Sequence, residues 1–292
     1  MSEPILRLYP APQATLALQG QYLTHALHER GAPGAPFVYT NFISSLDGRI
    51  ALAASGRQTN RVPPATANPR DWRLFQELGA QADLLVTSAR YFRQLALGEA
   101  QDQLPVGSSE DFADLRRWRV EQGLKPQPDL AVLSASLDLP VAPLLDQGGR
   151  RVRLYTGEAA DPGRVRDLTD AGVDIAFAGE GRSVEGGHLM DALAAEGYRS
   201  IYVVAGPSVI HTLAMAGALH RLYLTLAHVV LAGEGFDTFA WGPELSPPLT
   251  LQLSELYYDA AAPAGAGQLM AVYDCRPREE PLMPPPDPHS AR

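Results

Sequence analysis

The chain has 292 residues, 46% of them hydrophobic, and a net charge of -9. That length holds one large domain or two ordinary ones. The acidic balance disfavours a nucleic-acid scaffold, which neutralises phosphates with clustered Lys and Arg, but leaves open a local basic pocket for a small phosphorylated molecule. The lone cysteine, Cys275, excludes an intramolecular disulfide, a Cys-based zinc site and a CxxC redox pair, and the seven histidines show no HExxH spacing, so no metal site is expected. The opening MSEPILRLYP lacks the sustained apolar run of a signal peptide, and no stretch approaches the roughly 20 apolar residues of a membrane span. A cytoplasmic location is expected.

In chain order, residues 1–35 read as a helical extension, with Leu18, Tyr22, Leu23 and Leu27 at helical spacing before Gly31. FVYTNFISSLDGRIAL (37–52) begins as a β-branched and aromatic strand, then breaks into a polar turn from Ser44 to Arg49. Asn68 is a plausible N-cap with Pro69 at the first helical position, and DWRLFQELGAQ continues that helix. ADLLVTS (82–88) is a strand leading into the helix ARYFRQLAL, and residues 98–128 read as an irregular charged insertion with one short helix. DLAVLS (129–134), RVRLYT (151–156) and VDIAFAG (173–179) are further strands. The glycines of AGEGRSVEGG lack the strand and helix context of a dinucleotide fingerprint and read as a turn. The helix LMDALAAEG leads into the strand SIYVVAG (200–206). Pro207 opens the helix GPSVIHTLAMAGAL, and HRLYLTLAHVVL follows as a strand pair or bent strand. LTLQLSELYYD and QLMAVYD alternate as a hairpin expected at the sheet edge. The main domain thus spans 36–274, and 275–292 is a proline-rich tail expected to be disordered.

Strands alternating with helices define an α/β fold, a mostly parallel sheet flanked by helices, with antiparallel character from the C-terminal hairpin. In such sheets ligands bind outside the carboxyl ends of the strands. Three of those ends are chemically unusual: Ser44 to Arg49, Thr87 to Arg90, and Ala205 to Ser208. At the third, small residues precede a helix N-terminus, whose free N–H groups and dipole suit a phosphate or pyrophosphate, although an ordinary tight turn reads the same way. At the second, Thr87 and Ser88 can bind phosphate or ribose, or merely cap the next helix, and Arg90 can supply a guanidinium. At the first, Asp47-Gly48 is a natural turn dipeptide, open to a structural or a site reading.

Taken together, TNFISSLDGRIA, ADLLVTSARYF, LSASLDLP and the long segment from Leu193 to Phe236 resemble the pyrimidine reductase of riboflavin biosynthesis, whose domain stands alone or C-terminal to a deaminase. No H-x-E paired with P-C-x-x-C is present, so the deaminase half that precedes this domain in the bacterial deaminase-reductase, where it is the C-terminal domain, is not expected here. The free-standing forms that carry Asn at the position of Asn41 match better than those with Lys. The resemblance implies a dihydrofolate-reductase-like fold, NADPH as cofactor, a homodimer, and an oxidoreductase that reduces the ribosyl group of a 5-amino-6-(5-phosphoribosylamino)uracil-type substrate to ribityl.

It also implies residue roles. Ala205, Gly206, Pro207, Ser208 and Val209 would cradle the cofactor pyrophosphate, with Thr87, Ser88 and Arg90 near its adenosine side. Ser45 and Gly48 would border the nicotinamide, Asn41 and Asp47 would serve catalysis, and Asn41 and Arg57 would hold substrate. Where the family has Glu-Gly-Gly-Pro, this chain has Val204-Ala205-Gly206-Pro207, and the cis bond common between the two glycines is expected between Ala205 and Gly206, at a cost of about 2.5–4 kcal/mol. The D-D-P segment that carries the family's catalytic aspartate has no clear equivalent. LALGEAQDQLP stands there, making Glu99 or Asp102 the candidate, and Gly79 replaces an arginine in the preceding helix. Two other readings stay open: a reductase of the same fold acting on another small heterocycle or carbonyl compound, and a non-catalytic nucleotide-binding protein.

Overall fold

The computed structural model describes residues 3–53, 60–100, 104–262 and 265–276. Its elements are β1 (Ile5–Tyr9), β2 (Ala14–Leu16), α1 (Leu27–Arg30), β3 (Phe37–Ser45), β4 (Ala51–Leu52), α2 (Pro69–Ala80), β5 (Leu84–Ser88), α3 (Ala89–Ala96), α4 (Ala113–Glu121), β6 (Asp129–Leu133), α5 (Val141–Leu145) and β7 (Val152–Thr156). There follow α6 (Pro162–Asp170), β8 (Ile175–Phe177), α7 (Gly186–Ala195), β9 (Ser200–Val203), α8 (Pro207–Met215), β10 (Arg221–Ala227), β11 (Phe236–Asp237), β12 (Leu251–Asp259) and β13 (Gln268–Cys275).

Successive strand residues point to opposite faces, and the core divides accordingly. Tyr39, Leu85, Leu130, Val132 and Tyr202 pack with Leu74 and Leu78 of α2 and Phe92 of α3. Their neighbours Val38, Leu84, Val86, Ala131, Ile201 and Val203 pack with Leu189 and Leu193 of α7 and Ile210 and Leu213 of α8. The sheet order is β2-β1-β12-β13-β10-β3-β9-β5-β6-β7-β8. From β10 to β8 the pairings are parallel, and from β2 to the β13–β10 contact they are antiparallel. The expected α/β sheet, with an antiparallel C-terminal hairpin, is present.

The hairpin of β12 and β13 is not at the sheet edge. β1 pairs with β12, placing Leu6 opposite Tyr258, and β2 covers β1. The N-terminal segment therefore contributes strands, not the expected helix. Leu18, Tyr22 and Leu27 are buried as their spacing requires, but Gly20 (φ 84°) and Ala26 (φ 47°) turn the backbone left-handed and break the helix into one 3₁₀ turn and α1. HRLYLTLAHVVL yields one strand, β10, and a loop.

Helix α2 starts as its sequence predicts: Asn68 Oδ1 accepts from the N–H groups of Arg70 (3.1 Å) and Asp71 (2.9 Å), and Pro69 is the first helical residue. Its far end is closed by the 104–128 segment, where Val106, Phe112 and Leu115 pack on Ala80. Fully buried Arg119 of α4 donates to the carbonyls of Ala80 (2.8 Å) and Ala82 (2.7 Å), a cation set against a helix C-terminus. Among the described residues no helix is long and apolar enough to cross a membrane, and no group of three metal-ligating side chains is found. Arg57 and the tail beyond Arg276 lie outside the described residues.

Candidate active site

A cleft of about 1100 Å³ opens at the carboxyl ends of β3, β5 and β9. Two of the three unusual strand ends line it. Thr87, Ser88 and Arg90 contribute from β5 and α3, and Ala205, Gly206 and Pro207 from the turn into α8. Asn41 lines it from β3 itself. The opposite wall is the first turns of α2, with Asp71, Trp72 and Phe75, and the rim includes Ile50, Ala51 and Asp237.

The Ala205–Gly206 bond is trans, contrary to the expectation of a cis bond there; among the described residues, the non-proline cis bond lies between Pro105 and Val106. The trans isomer is the form an Ala–Gly amide favours. Gly206 has ordinary negative φ (-73°), so its value here is space: a Cβ would meet only the Arg90 guanidinium, at 4.0 Å. No side chain caps α8, which leaves its N-terminus available to an anion beside Arg90. Arg90 in turn faces Asp237 at 3.6 Å and the Asn60 carbonyl at 3.5 Å.

Ser45, Asp47 and Gly48 do not line the cleft. Asp47 instead fastens two loops. It accepts from Ser45 Oγ (2.5 Å) and from the N–H groups of Leu231 (3.2 Å) and Ala232 (2.8 Å), and pairs with Arg49 (3.1 Å). The Ser45 hydroxyl, with the two backbone donors and Arg49, pulls its carboxyl down to about 2, so it carries no proton at neutral pH. Gly48 adopts φ 83°, the left-handed turn its dipeptide implies. Ser208 and Val209 lie in the first turn of α8 without lining the cleft, and the Val209 N–H is bonded to the Gly206 carbonyl (3.1 Å). Glu99 follows α3 outside the cleft, and Asp102 lies outside the described residues.

Asp71 is the residue that sequence reasoning missed. It is buried at the cleft wall, where Thr225 Oγ1 donates to its carboxylate at 2.6 Å. Burial raises its carboxyl to about 6 against the lowering effect of that hydroxyl. An aspartate in a helix's first turn is ordinary, and only burial makes this one unusual. Its position is over-determined: Asn68, which caps α2, donates to Gln268 Oε1 (2.9 Å). Gln268 donates to Asp259 (3.0 Å), and Asp259 pairs with Arg70 (2.7 Å). On the facing strand, Asn41 Oδ1 accepts from the buried Tyr202 hydroxyl at 2.5 Å. The site therefore combines a carboxyl poised to hold a proton, an amide, two stacked aromatic rings (Trp72 and Phe75, 4.9 Å apart) and an anion cradle. Such a constellation can bind a flat heterocycle beside a phosphate-bearing ligand and exchange a proton with it.

With its mostly parallel, helix-flanked sheet and antiparallel C-terminal hairpin, the chain has the dihydrofolate-reductase-like fold. It belongs to the RibD C-terminal domain family, whose pattern matches residues 36–259. Among solved structures it is similar to a pyrimidine reductase-like protein of Corynebacterium diphtheriae, with 22% identity over 84% of this chain and 93% of that one, and a TM-score of 0.61. It is also similar to RibD of Acinetobacter baumannii (17%, 83% and 58%, TM-score 0.56) and to the riboflavin biosynthesis reductase Rib7 of Saccharomyces cerevisiae (16%, 88% and 99%, TM-score 0.52). The match thus spans less than two thirds of the Acinetobacter protein. No curated protein matches the chain in sequence.

Proposed function

We propose that this chain is an NADPH-dependent pyrimidine reductase of riboflavin biosynthesis, converting the ribosyl group of 5-amino-6-(5-phosphoribosylamino)uracil to ribityl. The observation that carries the reading is Asp71: a buried carboxyl with its proton affinity raised to about 6, in the same cleft as the open Gly206 turn at the α8 N-terminus. The residues present fit the cofactor, because the turn has room where a Cβ would be and Arg90 is at hand for a phosphate. NADPH, when bound, supplies the hydride. The protein's part is to hold the heterocycle against Trp72 and Phe75, exclude water, and deliver a proton from Asp71 as the ribose, opened to an imine, is reduced. A homodimer in the cytoplasm completes the proposal, on the strength of the family resemblance.

Mixing the protein with NADPH and this substrate, and following loss of the reduced-nicotinamide absorbance, tests it. Consumption supports the reading; NADPH binding without consumption sinks it, and no NADPH binding sinks every reductase reading. One observation favours a second substrate class. Among the described residues lining the cleft, Arg90 is the one cation, against the carboxyls of Asp71, Asp111 and Asp237. An unphosphorylated heterocycle suits that balance better than a second phosphate does. Faster turnover of the dephosphorylated substrate than of the phosphorylated one would select it.

A further inference from the structure

Tyr202 is fully buried (0% exposed) in β9, beside Asn41 on the neighbouring strand β3. Its ring stacks on Tyr39, with centroids 5.0 Å apart and planes within 11°, and Phe75 lies 5.8 Å away. Tyr39 is itself anchored, its hydroxyl donating to the Leu78 carbonyl at 2.9 Å. The Tyr202 ring is therefore held, and its hydroxyl meets Asn41 Oδ1 at 2.5 Å. The opposite arrangement, with the amide donating to the phenol oxygen, would leave a buried O–H without the acceptor it has here, and unpaired buried donors are costly. The bond thus decides which end of the Asn41 amide is committed to the protein. What the bond turns away from Tyr202, toward the cleft that Asn41 lines, is the NH₂ group with its two donors, while Oδ1 already has one lone pair engaged by the phenol.

We propose that Tyr202 is a positioning residue that locks the Asn41 amide with its NH₂ toward the cleft, so that this wall recognises a carbonyl on the bound ring and discriminates against a ring N–H or amino group. Two rings of the proposed reaction carry such a carbonyl, the nicotinamide with its carboxamide and the pyrimidine. The shared chemistry is a carbonyl conjugated to a planar heterocycle. A site that orients an amide in this way disfavours the mismatched group, because a donor would then face a donor and one buried polar group would go unpaired. The inference rests on the reductase reading only for the identity of the rings.

Four proteins test it: wild type, Tyr202→Phe, Asn41→Ala and the double variant, each titrated with NADPH by fluorescence and assayed for kcat and KM with the phosphoribosylaminopyrimidine. Tyr202→Phe is expected to weaken one ligand about tenfold, the scale of one hydrogen bond, and Asn41→Ala at least as much. The double variant should match Asn41→Ala, since no amide is left to orient. A loss confined to NADPH affinity assigns the carbonyl to the nicotinamide, and a loss confined to KM assigns it to the pyrimidine. Unchanged affinity for both ligands in Tyr202→Phe, or a loss that adds in full to that of Asn41→Ala, overturns the proposal. The side-chain ¹⁵N amide pair of Asn41 gives a readout without turnover: sharp in the wild type, broadened or shifted in Tyr202→Phe. If the wild type does not reduce the pyrimidine, the reductase reading falls alone, and an amide pair untouched by Tyr202→Phe would sink the positioning role separately.

Discussion

Two aspartates, in the loop after β3 and in the first turn of α2, show how differently one side chain is used. Asp47 lies at the protein surface and collects a hydroxyl, two backbone N–H groups and a guanidinium, which hold its carboxyl at about 2. Asp71 lies inside, with one hydroxyl, and rises to about 6. Donors lower the carboxyl's proton affinity and burial raises it, so the number of donors relative to the depth decides which aspartate can act as an acid near neutral pH. The aspartate in the more conspicuous motif fastens loops, and the one in the plainer motif is buried with a raised proton affinity, as the proposed acid requires.

The largest effect should come from removing the acid. Asp71→Asn is expected to lower kcat/KM for the pyrimidine at least about 100-fold, and the wild-type rate should fall as pH rises through about 6, a dependence the variant lacks. A variant with near-normal kcat/KM would end Asp71's role. Next is stability. Because the folded carboxyl sits at about 6, above its ordinary value, the fold favours its protonated form. That contribution is complete below about pH 4 and lost as pH rises through 6. Asp71→Asn should therefore be more stable than wild type at pH 7.5, by up to about 3 kcal/mol, with the difference vanishing near pH 4. Thermal melts at the two pH values check both sign and window.

Smaller changes follow at the rim. Arg90→Ala should weaken NADPH about tenfold. Asp237→Asn, which releases Arg90 from its 3.6 Å partner, should tighten it a few-fold, with both shifts shrinking at high salt. An unaltered NADPH titration in both variants would remove Arg90 from the cofactor site. Asp47→Asn should be mildest, with turnover within about threefold of wild type and an unmoved pH profile. Its depressed carboxyl stabilises above the ordinary value and ceases to as pH falls toward 2, so any stability difference from wild type should shrink on acidification. A displaced pH profile in this variant would return Asp47 to the chemistry.

The features legible in the sequence are those written locally. Asn68 and Pro69 announce α2, and strand alternation sorts Tyr39 from Val38 and Tyr202 from Ile201 between two core faces. The turn at Gly206 and the Thr87 strand end are visible because small and polar residues interrupt apolar runs. Asp71 is illegible because its distinction is burial against Thr225, on a strand remote in sequence. The N-terminal strands are illegible for a related reason: Ile5 to Tyr9 extends because β12 offers it an edge, and no local periodicity announces a partner so distant.

The two polar contacts that define the cleft join residues far apart along the chain: Asn41 to Tyr202 across 161 positions, and Asp71 to Thr225 across 154. During synthesis the first member of each pair emerges long before the second, and closing such long loops precedes any reward from the contact. Until β10 docks, Asp71 is a solvated carboxylate like any other. Its proton is therefore taken up as the chain completes its sheet, which makes hydrogen-ion uptake between pH 4 and 6 a chemical timestamp for the moment the pocket closes.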